Sequence, residues 1–512
     1  MTARHIALAA VVLASAVAAQ NLELDARGGS TPGVVQLDAY PALYPFEAIM
    51  IVPSGTNGPT PCQWFDPNDW RSLDIGLDLV GLAWAGLSTL DGHFRVQFSL
   101  PPSPSLQDVP LHLQAVTFAW SATILDRISN PNAIRLGNAG AFRDRAAFSQ
   151  FDRAFATVIQ RRDRKPLLVG GARGQLLAQQ AWATTEVYDI ATNLFSPGPA
   201  MSTPRSLHTC TQLPNGQWLV TGGVQSTNDP QASCELYDPV TDTFVPTGSM
   251  LTPRTGHTAT LLPSGKVLVT GGIQAMPVTP TQLQPIREIV NSTELYDPAT
   301  GAWTAGPNMS TPRAGHSAIV RPNGQIALIG GISWDNVIII GWAPAVRRSM
   351  DLYNPTTNAM TTGPQMATAR SLTDPVDLGN NRYLFAGGIN GISILPFNPG
   401  NPTNAAEIYD ATANTWTAVA PMATARGNHR GWAIGNGRFM LAGGANGSIL
   451  SPTPLNSTEI FDVATNAFTP GPAMSYARAG AAETINHQGQ IQVFGGGTTG
   501  NTITASTEWW YF

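Results

Sequence analysis

Short apolar runs, each closed by two glycines, recur along most of the chain: PLLVGG, WLVTGG, VLVTGG, ALIGG, YLFAGG, FMLAGG and IQVFGG. The doublets are Gly170-Gly171, Gly222-Gly223, Gly271-Gly272, Gly330-Gly331, Gly387-Gly388, Gly443-Gly444 and Gly495-Gly496. Neighbours lie roughly 50–60 residues apart, a period that signals a repeat architecture. β-Branched and aromatic runs bounded by glycine predict buried strands. Two glycines after such a strand predict positive φ or close backbone approach.

A second pattern follows each doublet. It reads Glu186-Val-Tyr-Asp, Glu235-Leu-Tyr-Asp, Glu294-Leu-Tyr-Asp, Asp351-Leu-Tyr-Asn, Glu407-Ile-Tyr-Asp, Glu459-Ile-Phe-Asp and Glu508-Trp-Trp-Tyr. Acid and aromatic are two apart and share one strand face. Another aromatic follows (Phe195, Phe244, Trp303, Trp416, Phe468, with Met360 in the fourth unit), then an arginine: Arg205, Arg254, Arg313, Arg370, Arg426 or Arg478. Each unit thus predicts four strands. Strand A follows the arginine, B ends in the doublet, C carries the acid, D the aromatic. Four strands repeated seven times make a β-propeller. These units resemble kelch repeats, in the bacterial style also found in the central domain of galactose oxidase, over roughly residues 140–512. The seventh unit stops at the end of its strand C. Upstream, Arg153 fills the arginine slot and Phe142 precedes it as Trp303 precedes Arg313. Residues near 139–147 are therefore expected to supply the last outer strand, closing the ring and removing an open edge.

The rest of the chain divides around this ring. Residues 1–19 read as a secretory signal, with Arg4 and His5, an apolar Ile6 to Ala16 and a small-residue end at Ala18-Ala19. That run is too short for a membrane span. Residues 20–136 lack the doublet unit and hold alternating runs such as HFRVQFSL and PLHLQAVTFAW, which predict a small all-β, sandwich-like domain. Its segment from Asp108 to Arg135 resembles the end of a β module of large exported bacterial proteins. The expected architecture is all-β: leader, small β domain, and a seven-bladed propeller over 137–512.

Composition narrows the partners. Only 12% of residues are charged and the net charge is −5, with no basic stripe, so neither nucleic acid nor an anionic membrane is an expected partner. Three cysteines, Cys62, Cys210 and Cys234, make no disulfide framework. Cys210 and Cys234 fall on strands A and C of one blade, about two 4.8 Å spacings apart, too far for a bridge.

A feature present in every blade is architecture before it is chemistry. The arginine and acid slots are each filled seven times, so one structural pair per blade is the economical reading; the alternative is an arginine ring for anions. His208, His257, His316 and His429 stand three residues after their arginines. Clustered histidines can ligate metal, but equivalent blade positions are kept apart by the ring. Galactose-oxidase-like enzymes hold copper with tyrosines, a Tyr–Cys crosslink, and a histidine from a domain after the propeller. This sequence offers no such copper set, and no cofactor is expected. Nor does it hold a G-x-S-x-G elbow, a P-loop or an H-E-x-x-H helix.

Departures from the repeat carry more information. Strand parity puts the B–C and D–A loops on one face. The B–C loops of blades 3, 4 and 5 are long, and long loops on a rigid scaffold are usual recognition elements. The fourth, SWDNVIIIGWAPAVRR, offers Trp334, Asp335, Trp342, Arg347 and Arg348. Aromatics stack on sugars or anchor proteins, and arginines fork onto carboxylates. Arg287 and Phe397 could complete a wall, and Asn428 could face the channel mouth. Packing of Val337 to Ile340 against a neighbour is the plainer alternative. The expected function is an exported, secreted or surface-held binding protein for a carbohydrate or an extracellular protein. The alternative is an extracellular carbohydrate-active enzyme (lyase, hydrolase or epimerase) with its site at the channel mouth.

Overall fold

In a computed structural model, the protein is described over residues 22–27, 30–31, 33–40, 47–62, 71–75, 77–100, 106, 109–118, 125–129, 132–138, 142–175, 178–190, 192–225, 229–275, 288–337, 341–391, 393–394, 397–398, 400–448, 451–485, 490–498 and 502–510. The expected leader lies outside them.

Among the described residues are seven four-stranded antiparallel sheets. Blade 1 runs Thr157–Gln160, Pro166–Val169, Thr185–Asp189 and Leu194–Pro197, in the order A-B-C-D. Blades 2 to 6 repeat this order. Neighbouring A strands touch, which puts them innermost. In the last blade the outer strand is Phe142–Phe148, paired antiparallel with Ser506–Trp510. The start of the repeat region therefore closes the ring, where the sequence pattern placed it.

The burial gradient explains the residue pattern. Strand B is wholly buried in blades 1, 3, 4 and 7, as in VLVT and IALI, while strand D is largely exposed. The C-strand aromatic lies directly opposite the D-strand aromatic. Ring centroids are 4.9 Å apart for Tyr188–Phe195 and 5.1 Å for Tyr296–Trp303. Phe142 and Trp510 repeat the pair at the closure, 5.1 Å apart. Such contacts add to the area that each ring buries.

Each blade is knotted at its inner end by the arginine. In blade 2, Arg205 is fully buried. Its Nη1 donates to Gly222 O (2.8 Å) and Ser233 O (2.8 Å), and its Nη2 to Glu235 (2.9 Å). Glu235 also accepts from Ser202 N at 2.7 Å. The ion pair recurs as Arg153–Glu186, Arg254–Glu294, Arg313–Asp351, Arg370–Glu407, Arg426–Glu459 and Arg478–Glu508. The expected structural pair is thus present in each blade. Burial pulls the guanidinium pKa below its ordinary value at Arg153, Arg254 and Arg313, against the opposing pull of the paired acid.

The arginine backbone does a second job. Its carbonyl accepts the N–H of the second doublet glycine of the preceding blade, from Gly171→Arg205 round to Gly496→Arg153, at 2.7–3.0 Å. That geometry explains the doublet. The first glycine sits at φ between +59° and +70°, and a Cβ there would meet the next arginine carbonyl at 2.2–2.7 Å. The second sits at φ between +81° and +104°.

His208, His257 and His316 also join blades. Nε2 of His208 lies 2.9 Å from Thr157 Oγ1, and that of His316 lies 2.8 Å from Thr270 Oγ1, both in the preceding blade. Burial first, then the nearby arginine, depresses these imidazoles and His429 to about 3. They are neutral structural groups. All three cysteines are free, with Cys210 and Cys234 on strands A and C of blade 2; burial pushes both thiols up to about 12.

Before the ring, two sheets share one apolar core. One comprises Glu23–Arg27, Gly33–Tyr40 and Phe94–Leu100; the other is built around Ala48–Ser54 and Pro110–Phe118. Leu24, Val35 and Leu37 meet Ile49, Ile51, Leu113 and Ile134. These sheets touch the propeller on its A–B and C–D turns. Arg135 Nε donates to Ile190 O (2.8 Å), Gln490 to Arg135 O (3.1 Å) and Arg164 to Leu24 O (3.1 Å).

Three outcomes follow. Arg205→Met strands Glu235 and should cost about 3–5 kcal/mol, with Arg205→Lys recovering only part because lysine lacks the fork; denaturant melts that match wild type would show the knot dispensable. Phe142→Ala should cost on the order of 3 kcal/mol, and a chain that starts after Phe148 should melt lower still; an unchanged Tm would refute closure by this strand. The buried histidines titrate near 3 folded and near 6.5 unfolded, so between those values the unfolded chain binds more protons. Stability should therefore fall as pH drops from about 7 towards 3, and His257→Gln should flatten the slope between about pH 5 and 7, above the range of ordinary carboxylates.

Candidate functional site

Two residues after each arginine the chain turns through the left-handed region. The seven residues are Phe155, Leu207, Gly256, Gly315, Leu372, Asn428 and Gly480, all at φ between +51° and +62°. Each N–H donates to the carbonyl of its counterpart one blade back: Leu207 to Phe155 (3.3 Å), Gly256 to Leu207 (3.5 Å), Gly315 to Gly256 (2.9 Å), Leu372 to Gly315 (2.9 Å), Asn428 to Leu372 (3.0 Å) and Gly480 to Asn428 (3.4 Å). Phe155 to Gly480 (2.9 Å) closes the circle. Glycine and asparagine suit this conformation, but phenylalanine and leucine do not. Strained residues of that kind concentrate where a binding surface needs a side chain aimed.

A second circle surrounds the first. The residue before each ring member pairs, in both directions, with the residue after the glycine doublet: Ala154 with Ala172, Ser206 with Val224, Thr255 with Ile273, Ala314 with Ile332, Ser371 with Ile389, Gly427 with Ala445 and Ala479 with Gly497. The two circles floor a funnel of about 280 Å³, on the face opposite the N-terminal sheets. Phe155, Leu207, Leu372, Ile273, Ile289, Ile332 and Ile389 line it, with Asn428.

Above this floor the B–C connections rise as hairpins in blades 1, 4, 5, 6 and 7, for example Ala172–Gln175 with Ala178–Ala181 and Ala445–Ser448 with Ser451–Pro454. Hairpins of blades 5, 6, 7 and 1 touch in turn. They extend the funnel wall through Pro402, Pro452, Pro454 and Ile503. The sequence reading singled out the connections of blades 3 to 5, and those of blades 6, 7 and 1 are additional.

The residues picked out in the sequence fall into two groups. Asn428 sits in the inner circle and lines the funnel. The fourth-blade residues stand on the hairpin Ile332–Val337 with Gly341–Val346, where Trp334 is registered with Pro344, Asp335 with Ala343 and Trp342 with Asn336. Trp334 is half-buried, and its indole nitrogen has no hydrogen-bond partner. Arg347 Nη2 donates to the buried Ser333 hydroxyl at 2.9 Å, and Arg348 is exposed. Of this hairpin's described side chains, Ile332 is among the funnel-lining residues. Phe397 stands on a short strand registered with Ile394. Arg287 lies outside the described residues.

The inner strands hold a group that the sequence reading missed. Arg430 on strand A of blade 6 lies between Asp374 (3.5 Å) and Glu483 (3.9 Å) of the flanking blades. Burial pushes the Glu483 carboxyl up, to about 8, against the pull of Arg430, and Asp374 adds to the rise. The corresponding slot in blades 1 to 4 is Thr157, Thr209, Thr258 and Ser317. Its change to Asp374 and Arg430 was the available signal. These groups are not among the funnel-lining residues. Among the described residues, no three His, Cys, Asp or Glu side chains converge as a metal set, and no helix is long and apolar enough to cross a membrane.

No protein-family model matches the chain. A kelch-like protein of Aspergillus terreus, terF, is 28% identical over 214 residues, 41% of this chain and 44% of that protein. Kelch-like protein 36 of Mus musculus is 25% identical over 197 residues, 38% of this chain and 30% of that protein. The matched segments thus span less than half of either relative. Among solved structures, a fungal alcohol oxidase of the AA5 family, in complex with copper, superposes with a TM-score of 0.56 at 17% identity, over 73% of this chain and 76% of the oxidase. At that identity the likeness is one of fold. Together with the repeat and the sheet order, these similarities make the later part of the chain a kelch-repeat β-propeller.

Proposed function

We propose that the protein is an exported binding protein that recognises an extracellular protein through the funnel-and-hairpin face of its propeller. The inner circle carries this reading: three bulky residues are held in a disfavoured backbone conformation around the floor of a funnel. Strain kept at one end of a rigid ring is expected where side chains must be presented. The kelch-like relatives favour a protein over a carbohydrate partner, since such propellers serve protein interactions. Export rests on the leader-like residues 1–19. Trp334, Asp335, Trp342, Arg347 and Arg348 are the proposed anchors on the blade 4 hairpin, beside Phe397 and Arg287 of the neighbouring loops.

The enzyme reading has one observation behind it, the Asp374–Arg430–Glu483 group with its raised carboxyl. Paired carboxylates can hydrolyse glycosides, but here the arginine stands between them and the funnel lining contains neither.

The test is a binding screen of residues 20–512 against extracellular proteins and polysaccharides, run beside a variant with Trp334, Trp342, Arg347 and Arg348 all changed to alanine. A protein hit weakened at least tenfold, about 1.4 kcal/mol, with Tm retained, is expected. A hit indifferent to the variant removes the hairpin as anchor, and turnover of a polysaccharide would move the assignment to the enzyme.

A further inference from the structure

We infer that the funnel floor is a socket for a small, uncharged, mainly apolar group of one to two rings, and that it rejects sugars. This deepens the proposed function and rests on its choice of face.

The inference starts from hydrogen-bond accounting. A floor built from turns would ordinarily offer free N–H and C=O groups to a polar ligand. Here the inner circle uses the N–H of every ring residue on the carbonyl of the one before it, and the outer circle pairs its residues in both directions. The backbone of the floor is committed to itself. Among the side chains on that floor, the Thr255 hydroxyl donates to Leu207 O at 3.2 Å, and Asn428 presents a carboxamide. A monosaccharide would bring a hydroxyl on almost every carbon to a floor with one amide to answer them, since the other hydroxyl residues that line the funnel, Ser448, Thr498 and Thr502, stand on the hairpins of blades 6 and 7 above it. Each unanswered hydroxyl loses its water for nothing. An apolar ring loses nothing polar and covers the surrounding isoleucines and leucines.

Size and shape refine the class. A dry apolar cavity of about 150 Å³ holds benzene, and this space is about 280 Å³, which admits a fused bicyclic ring. The floor is also lopsided. Phe155 and Leu207 stand on blades 1 and 2 and Leu372 on blade 5, its side chain lying over Gly315 of blade 4, whereas Gly256 leaves blade 3 bare. A Cβ built on Gly256 would meet nothing closer than Gly315 N at 3.9 Å. A flat ring can therefore enter over blade 3 with its edge towards Asn428. Position 256 decides whether that notch exists. A leucine fits the backbone there, because Leu207 and Leu372 already occupy the equivalent slot at the same φ.

The test uses the full chain with isoleucine δ1 methyl groups labelled for NMR. Ile273, Ile332, Ile389 and Ile503 line the funnel and report directly; isoleucines of the N-terminal core, such as Ile49 and Ile51, serve as controls. Indole is titrated as the bicyclic probe and methyl β-galactoside as the sugar. Indole is expected to shift the funnel methyls with the controls still, and the galactoside to leave both sets unmoved at the same concentrations. Gly256→Leu should weaken indole at least tenfold. If that variant does not fold, Gly256→Asn, which places in the notch a residue this ring already accepts at Asn428, should weaken it in the same direction. Shifts from the galactoside equal to those from indole, no funnel shifts from indole, or unchanged indole affinity in the folded variant would each overturn the assignment. Indole binding without any protein hit in the screen leaves the socket standing and removes the partner; a protein hit without indole shifts does the reverse.

Discussion

The arginine that opens each blade is the part on which the rest depends, because one residue serves two closed systems. Its guanidinium ties the first doublet glycine, the residue two before the acid, and the acid itself into one blade. Its carbonyl receives the neighbouring blade's second glycine. Removing the side chain would therefore disturb a blade and a joint together. A buried ion pair is weak evidence for net stability, since desolvation can exceed the attraction. What this pair supplies is position. It fixes the first residues of strand A, and the left-handed turn begins two residues later. The circle of seven backbone bonds closes only if all the turns lie at the same depth.

That constraint explains why bulky residues can occupy a conformation that disfavours them. At Phe155, Leu207 and Leu372 the φ value is set by bonds on both sides, the N–H donating to the preceding ring member and the carbonyl accepting from the next. The cost is local, and the restraint comes from the whole ring. Side chains at this slot are then free to vary without altering the fold. The sequence shows such variation: phenylalanine, leucine, asparagine and glycine all appear in it. The arginine, acid and glycine slots, by contrast, scarcely change.

This difference between slots also marks what could be read from the chain alone. The blades, their strand order and the closing strand were legible because buried strands, glycine doublets and acid–aromatic pairs each follow from a local requirement repeated seven times. The loops of blades 3 to 5 drew notice by their length. The funnel floor did not, because a short turn between arginine and strand A carries no signal of its φ or of its hydrogen bonds across blades. The ring bonds join residues 49 to 59 apart between successive blades, and 325 apart across the closure between Phe155 and Gly480. The Asp374–Arg430–Glu483 group was hidden differently. Asp374 and Arg430 sit in the slot taken by Thr157, Thr209 and Thr258 elsewhere, with Glu483 one residue further along strand A of its blade, and a comparison of that slot from blade to blade exposes the change.

The saturation of the floor has a consequence for how recognition is divided. Because the two circles consume the backbone groups there, polar specificity has to come from elements that stand above them, the B–C hairpins. Those of blades 5, 6, 7 and 1 touch one another in series and bring prolines and Ile503 to the funnel. The blade 4 hairpin contributes Ile332 to the floor, and Arg347 follows its second strand at the base, its N–H on Gly331 O. An apolar centre ringed by polar and aromatic groups is the arrangement that concentrates binding energy in protein interfaces, where the dry centre supplies affinity and the rim excludes water. On this propeller the ring of strained turns provides the centre, and the unequal hairpins provide the rim.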